Sequence, residues 1–258
     1  MRYLVGAVRI ALLVAVLAGA TALILVLAPV PVRVRGARLC AWPATWMARL
    51  FLAVFGVRLR VRDPRKLIVH GGFIFPNHVS FLDAILFLSL APVRFLGKSE
   101  VRTWPLLGWI ATAIDTVYVE RTSRESRSQA RTLLRDLPLH PPIVLFPEGG
   151  IYPTGLLLNP FRWGAFEIAV HSQIPYLSCV IVYDQRELVF WGDESLMAAV
   201  WRVASRRGGR IEAELISLHP VQPTAEDDAR QLAAEAHGAI ESVLTYHLDA
   251  DRVVQEGI

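Results

Sequence analysis

Apolar positions follow two regimes along this 258-residue chain. From Ile10 to Val32 they run without a charge; beyond about Arg58 they fall into short runs separated by glycine, proline and amphipathic stretches. The first stretch is long enough to cross about 30 Å of hydrocarbon as a helix. Arg2 and Arg9 flank its start, and Arg33, Arg35 and Arg38 flank its end. Ala18-Gly19-Ala20 is a small-residue cluster of the kind cleaved in secretory signals. The apolar run continues past it into an arginine stop, which favours a retained anchor. A second apolar stretch, Leu39 to Val57, carries Trp42, Trp46 and Arg49. It fits a core helix or an interfacial helix in the headgroup zone. Arginine is denser after the first segment than before it, which predicts a body on the cytoplasmic face of the inner or plasma membrane. A single span and a hairpin dipping into one leaflet both satisfy this pattern.

The remaining chain alternates strand-like and helix-like segments. Leu67 to Val69 and Phe73 to Phe75 read as short strands around Gly71-Gly72, and Phe81 to Leu90 as a helix ended by Ala91-Pro92. Val93 to Leu96 and Thr116 to Val119 read as strands, and Ser123 to Leu137 as a polar, arginine-bearing helix. Ile143 to Phe146 is a buried strand running into a Pro-Glu-Gly-Gly turn. Helix Phe161 to His171, strands Leu177 to Tyr183 and Leu188 to Trp191, helix Ser195 to Ser205, strand Ile211 to Ser217 and helix Thr224 to His247 complete the series. The expected fold is α/β: a mixed, partly parallel sheet flanked by helices, preceded by a hydrophobic anchoring helix or helix pair. Residues 1–58 form the anchor and residues 59–258 the globular domain on this reading.

Composition narrows the partners. Hydrophobic residues make up 53% of the chain, high for a soluble enzyme and low for a polytopic membrane protein. The net charge of +4 suits anionic headgroups or phosphorylated substrates. No basic run interleaved with aromatics points to nucleic acid. Cys40 and Cys179 are the only cysteines and lie far apart, which argues against a disulfide framework or a zinc site.

The densest chemistry is Asn77-His78-Val79-Ser80-Phe81-Leu82-Asp83, between a predicted strand and a predicted helix. Histidine is suited to take a proton near neutral pH, and a strand end is where side chains face a crevice. Asp83, one turn into the helix, is placed to accept a bond from one imidazole nitrogen and leave the other as base. Taken singly, each residue has an ordinary alternative. Asp83 with Ser80 resembles a capping box, and Asn77 and His78 fit a plain turn. Glu148-Gly149-Gly150 ends another strand, where glycine permits close backbone approach to a ligand or a simple turn.

Asn77-His78-x-Ser80-x-x-Asp83 resembles the first signature block of the glycerolipid acyltransferases. Further segments resemble the family's blocks in order: Gly97-Lys98-Ser99-Glu100-Val101 with Trp104 to Trp109, Val117 to Arg121, Phe146-Pro147-Glu148-Gly149, and Ile174 to Leu177. The likeness covers roughly residues 60 to 220. It implies direct acyl transfer, with His78 as general base oriented by Asp83. It also implies substrate contacts from Asn77, Lys98, Arg121, Glu148 and Gly149. The donor would be acyl-CoA or acyl-carrier protein, the acceptor the free hydroxyl of a lysophospholipid such as 1-acylglycerol-3-phosphate. No metal and no bound cofactor is implied.

One departure matters. Phosphatidate-forming members continue the third block with threonine and arginine, where this chain has Gly150 and Ile151. Arg162 stands nearby as a partial replacement. The change opens a different acceptor, for example lyso-ornithine lipid. A non-catalytic lipid-binding protein on the same scaffold and a thioesterase or lipase remain rivals.

Overall fold

Short strands rich in valine, isoleucine and phenylalanine assemble a seven-stranded mixed sheet in the computed structural model, which describes residues 2–120 and 123–256. Helix α1 (Arg2–Leu27) is followed by a small hairpin, β1 (Arg33–Val34) and β2 (Ala37–Arg38), and by α2 (Trp42–Val54). Next come β3 (Val57–Arg62), α3 (Pro64–Val69), β4 (Phe73–Pro76), α4 (Leu82–Leu90) and β5 (Arg94–Lys98). Helix α5 (Leu107–Ala113), β6 (Val117–Val119), α6 (Arg124–Asp136), β7 (Ile143–Val144) and α7 (Gly164–His171) follow. The chain continues through β8 (Tyr176–Tyr183), α8 (Arg186–Val189), α9 (Leu196–Ala204), β9 (Ile211–Val221) and α10 (Ala229–Glu256).

The sheet order is β3-β9-β8-β4-β7-β5-β6. Every neighbouring pair is parallel except β8 with β9. The carboxyl ends of β4, β8, β7, β5 and β6 therefore share one edge of the sheet, and the loops leaving them converge there. β4 is buried along its whole length, which explains its continuous apolar run.

Two expected strands are helical. Leu67–Val69 belongs to α3, because Pro64 after Asp63 presets the first helical turn and Leu67 turns its side chain into the core. Leu188–Trp191 is occupied by the end of α8 and the loop after it, with Val189 fully buried against the sheet.

Helix α4 buries Leu82, Leu86 and Phe87 in a cluster shared with α2 and the sheet. Each such burial contributes about 1.5–3 kcal/mol. That packing fixes the first turn of α4, and with it Asp83.

Tyr3–Leu27 is long and apolar enough to cross a membrane. Gly6, Leu13, Thr21 and Ile24, spaced at helical intervals, face the body of the protein. Gly6 lies against Trp201 of α9, and Arg9 Nη1 donates to the Ala204 carbonyl at 2.9 Å. Leu4, Val8, Leu12, Leu23 and Leu25 point outward from α1, as do Trp46 and Leu50 from α2. The exposed apolar surface is thus continued by two packed helices.

Candidate active site

His78 lies two residues past the end of β4, and the start of α4 returns Asp83 beneath it. His78 Nδ1 lies 2.8 Å from Asp83 Oδ2. The same oxygen accepts from the amides of Val79 at 2.7 Å and Ser80 at 2.9 Å. Asp83 therefore both caps the helix and holds the imidazole; the two sequence alternatives coexist in one carboxylate. Its place in the first turn of α4 also suits an anion at a helix N-terminus. An ionised carboxylate only accepts, so Nδ1 carries the proton and Nε2 is left with its lone pair. The Asp83 side chain is fully buried, whereas 17% of the His78 side chain is accessible. Phe146 stacks on the imidazole with ring centroids 3.8 Å apart, restricting its rotation.

His78 opens onto a cleft of about 800 Å³ whose lining is predominantly apolar. Phe95, Ile114, Leu134, Leu145 and Ile168 form part of the wall. Lys98, Arg131 and Arg162 bring positive charge to the same cleft. Lys98 ends β5, which runs two residues past the expected strand end at Leu96. Gly149 also lines the cleft, with φ at +77°. A Cβ there would meet Arg162 Nε at 2.6 Å, so the absence of a side chain makes room for the guanidinium. Arg162 Nη2 donates to Tyr152 Oη at 3.3 Å. Arg131 is ion-paired with Glu167 at 2.8 Å.

Two expected substrate contacts are bonded to protein backbone. Asn77 is buried, and its side-chain amide is bound at both ends to β8. Nδ2 donates to the Ile181 carbonyl at 3.0 Å, and Oδ1 accepts from the Ile181 amide at 2.7 Å. Its polar atoms are engaged by protein: Asn77 ties β4 to β8 and does not line the cleft. Glu148 is likewise buried, accepting from the amides of His78 at 2.6 Å and Asn159 at 3.1 Å. It anchors the backbone of His78 and does not line the cleft. Desolvation raises the Glu148 carboxyl above its ordinary value, with these amides opposing the shift. Arg121 lies outside the described residues.

Phe81, just before α4, lines the cleft, while Leu82, Leu86 and Leu88 of α4 are buried in the core. Trp191 and Gly192 line it too, and the Trp191 amide donates to the Val79 carbonyl at 2.9 Å.

Sequence reasoning missed three contributors. Tyr183 Oη donates to Asp83 Oδ1 at 2.7 Å. Arg186, largely desolvated, is attracted electrostatically by Glu148 and Asp83 and donates to the Leu157 carbonyl at 2.8 Å. Phe146 supplies the stacking face. The signal for Tyr183 was present: a tyrosine closing a buried apolar strand, at the sheet edge where the loops converge.

The arrangement can accept a proton from a hydroxyl presented in an apolar cleft with cations at hand. The family model named Acyltransferase matches residues 58–182. Lyso-ornithine lipid O-acyltransferase of Pseudomonas aeruginosa is 32% identical over 213 residues, covering 80% of this chain and 78% of that protein. A 1-acyl-sn-glycerol-3-phosphate acyltransferase of Neisseria meningitidis is 26% identical over 182 residues, covering 67% and 69%. The crystal structure of the 1-acyl-sn-glycerophosphate acyltransferase PlsC from Thermotoga maritima shares the fold, with a TM-score of 0.71, 17% identity, and coverage of 95% and 97%. Sequence likeness across most of its length and a matching fold agree with the ordered motifs: the chain belongs to the glycerolipid acyltransferase family and is an O-acyltransferase.

Proposed function

We propose that this chain moves a fatty acyl group from acyl-CoA or acyl-carrier protein to the free hydroxyl of a lysophospholipid such as 1-acylglycerol-3-phosphate, at the cytoplasmic face of a membrane. The observation that carries the reading is the His78–Asp83 hydrogen bond at 2.8 Å, at the wall of an apolar cleft. His78 Nε2 takes the hydroxyl proton as the acceptor oxygen attacks the thioester carbonyl. The new C–O bond forms, the C–S bond breaks, and the proton passes to the departing thiolate. Asp83 orients the ring and stabilises the imidazolium between those events. A thioester is already activated, so the transfer calls for no metal and no resident cofactor. The apolar wall suits an acyl chain, and Lys98 and Arg162 suit an anionic headgroup. The outward apolar faces of α1 and α2 suit contact with the bilayer.

A second acceptor, lyso-ornithine lipid, is favoured by one specific observation. Gly150 and Ile151 stand where phosphatidate-forming members carry threonine and arginine. That leaves less positive charge for a phosphate, and the named activity of the P. aeruginosa relative points the same way.

The test is incubation of purified protein with labelled acyl-CoA or labelled acyl-carrier protein and either acceptor. Label in the diacyl product of one acceptor supports transfer and identifies the headgroup. Release of free fatty acid alone would indicate hydrolysis, and no turnover with either donor class would indicate a lipid-binding role. His78→Ala should abolish transfer while leaving membrane attachment intact; wild-type transfer by that variant removes the proposed base.

A further inference from the structure

We infer that Tyr183 is a positioning residue for the transfer, its phenol fixing the rotation of the Asp83 carboxylate that orients His78. The inference rests on the reading of His78 as the base. The four hydrogen bonds to Asp83 are divided unequally. His78 Nδ1 and the amides of Val79 and Ser80 converge on Oδ2. Oδ1 is held by Tyr183 Oη, at 2.7 Å. The terminal torsion of an aspartate is broad and two-fold, so donors gathered on one oxygen do not by themselves define the carboxylate plane. A donor on the other oxygen does, and the plane determines how Oδ2 meets the imidazole.

The fold supplies that donor from a distant part of the chain. Tyr183 is the last residue of β8, and β8 is paired with β4, whose end carries His78. One strand pair thus supports the base through the backbone and its carboxylate through a phenol. Asn77 fastens the same two strands at Ile181, one residue pair before Tyr183 on the same face of β8. Tyr183 is buried and does not line the cleft, so its hydroxyl acts through Asp83 and not on substrate. Burial first, and the Asp83 charge second, push its pKa well above the ordinary tyrosine range. It remains the donor throughout the working pH range.

Other charged groups are accounted for around the dyad. Glu148 holds the His78 amide, and Arg186 lies electrostatically between Glu148 and Asp83. Lys98, Glu100, Arg131, Arg162 and Glu194 line the cleft itself. None of these is altered when the Tyr183 hydroxyl is removed.

Without the phenol donor, more of the carboxylate charge bears on the imidazole and the imidazolium is held more tightly. The catalytically competent neutral ring then becomes available only at higher pH. Tyr183→Phe should lower kcat about tenfold, leave both KM values within about twofold, and move the acidic limb of kcat/KM upward by about half a pH unit. Site-specific 3-fluorotyrosine at 183 keeps the shape and strengthens the donor; its acidic limb should move downward. It also serves if Tyr183→Phe folds poorly. Acidic limbs unmoved in the folded variants would show that the ring only packs, and would overturn the inference. His78→Ala, assayed in parallel, separates the two claims. Its inactivity beside unmoved limbs overturns the role of Tyr183 alone, whereas its full activity overturns the base.

Discussion

Glu148 holds His78 by the backbone, not by the ring: its Oε1 lies 2.6 Å from the His78 amide, while Oε2 takes the Asn159 amide at 3.1 Å. The loop after β7 and the loop after β4 are thereby joined through one buried carboxylate. Both bonds need an acceptor. Glu148→Gln keeps the volume but supplies one oxygen, and its amide nitrogen must face an N–H. The variant should lose about 1–3 kcal/mol of stability. Its kcat should fall at least about tenfold with acceptor KM within about twofold, because the base moves while the headgroup contacts stay. Steady-state kinetics and thermal melting check this; a raised KM with kcat intact would return Glu148 to substrate binding.

The same carboxyl gives a pH signature. Burial raises it above its ordinary 4.5, so the folded state retains this proton to a higher pH than the unfolded chain does. Where the native state binds more protons, stability falls as pH rises. Acidification through the raised folded value toward 4.5 therefore adds stability that Glu148→Gln lacks. The melting temperature of the wild type minus that of the variant should widen from about pH 7 to about pH 5. A constant or narrowing difference over that interval would show that the carboxyl is not raised.

The legible part of the site was the local part. His78 and Asp83 are five residues apart, and a strand-to-helix turn brings such residues together without help from elsewhere. Gly149 and Lys98 were picked out by the family-like motifs; Lys98 ends β5, and Gly149 lies in the loop after β7. What escaped depends on pairing across the sheet. Tyr183 reaches Asp83 over 100 positions, and Asn77 reaches Ile181 over 104. Nothing in the spacing of a single chain assigns those partners. The family resemblance implied substrate contact for Asn77 and Glu148, and their burial among backbone groups cannot be read from residue type. Fold class was legible from alternation, including the mixed sheet. Leu67–Val69 misled because three apolar residues fit a strand or the buried side of a short helix equally, and Pro64 decided for the helix.

Asn77→Ala tests the tie between β4 and β8. Removing the amide leaves the carbonyl and N–H of Ile181 without their buried partners. A loss of about 2–6 kcal/mol in unfolding free energy is expected, from two orphaned groups of about 1–3 kcal/mol each. In the fraction that remains folded, acceptor KM should stay within about twofold of wild type. Chemical denaturation read beside kinetics separates the outcomes; unchanged stability with a much higher KM would make Asn77 a substrate ligand after all.

Gly149→Ala probes the cation that stands in for the missing arginine of the third block. The φ of +77° is unfavourable for alanine by about 1–2 kcal/mol. Its methyl would also sit 2.6 Å from Arg162 Nε, so the guanidinium must move. If that guanidinium binds the acceptor headgroup, Gly149→Ala should raise acceptor KM about tenfold and leave donor KM within about twofold. Arg162→Ala should do the same. The double variant should then bind acceptor no worse than Arg162→Ala, since the first change acts by displacing a group the second has removed. Additive KM effects would mean that Gly149 contributes through its own backbone. An acceptor KM unaltered in all three would place the headgroup elsewhere, with Lys98 the next cation of the cleft to test.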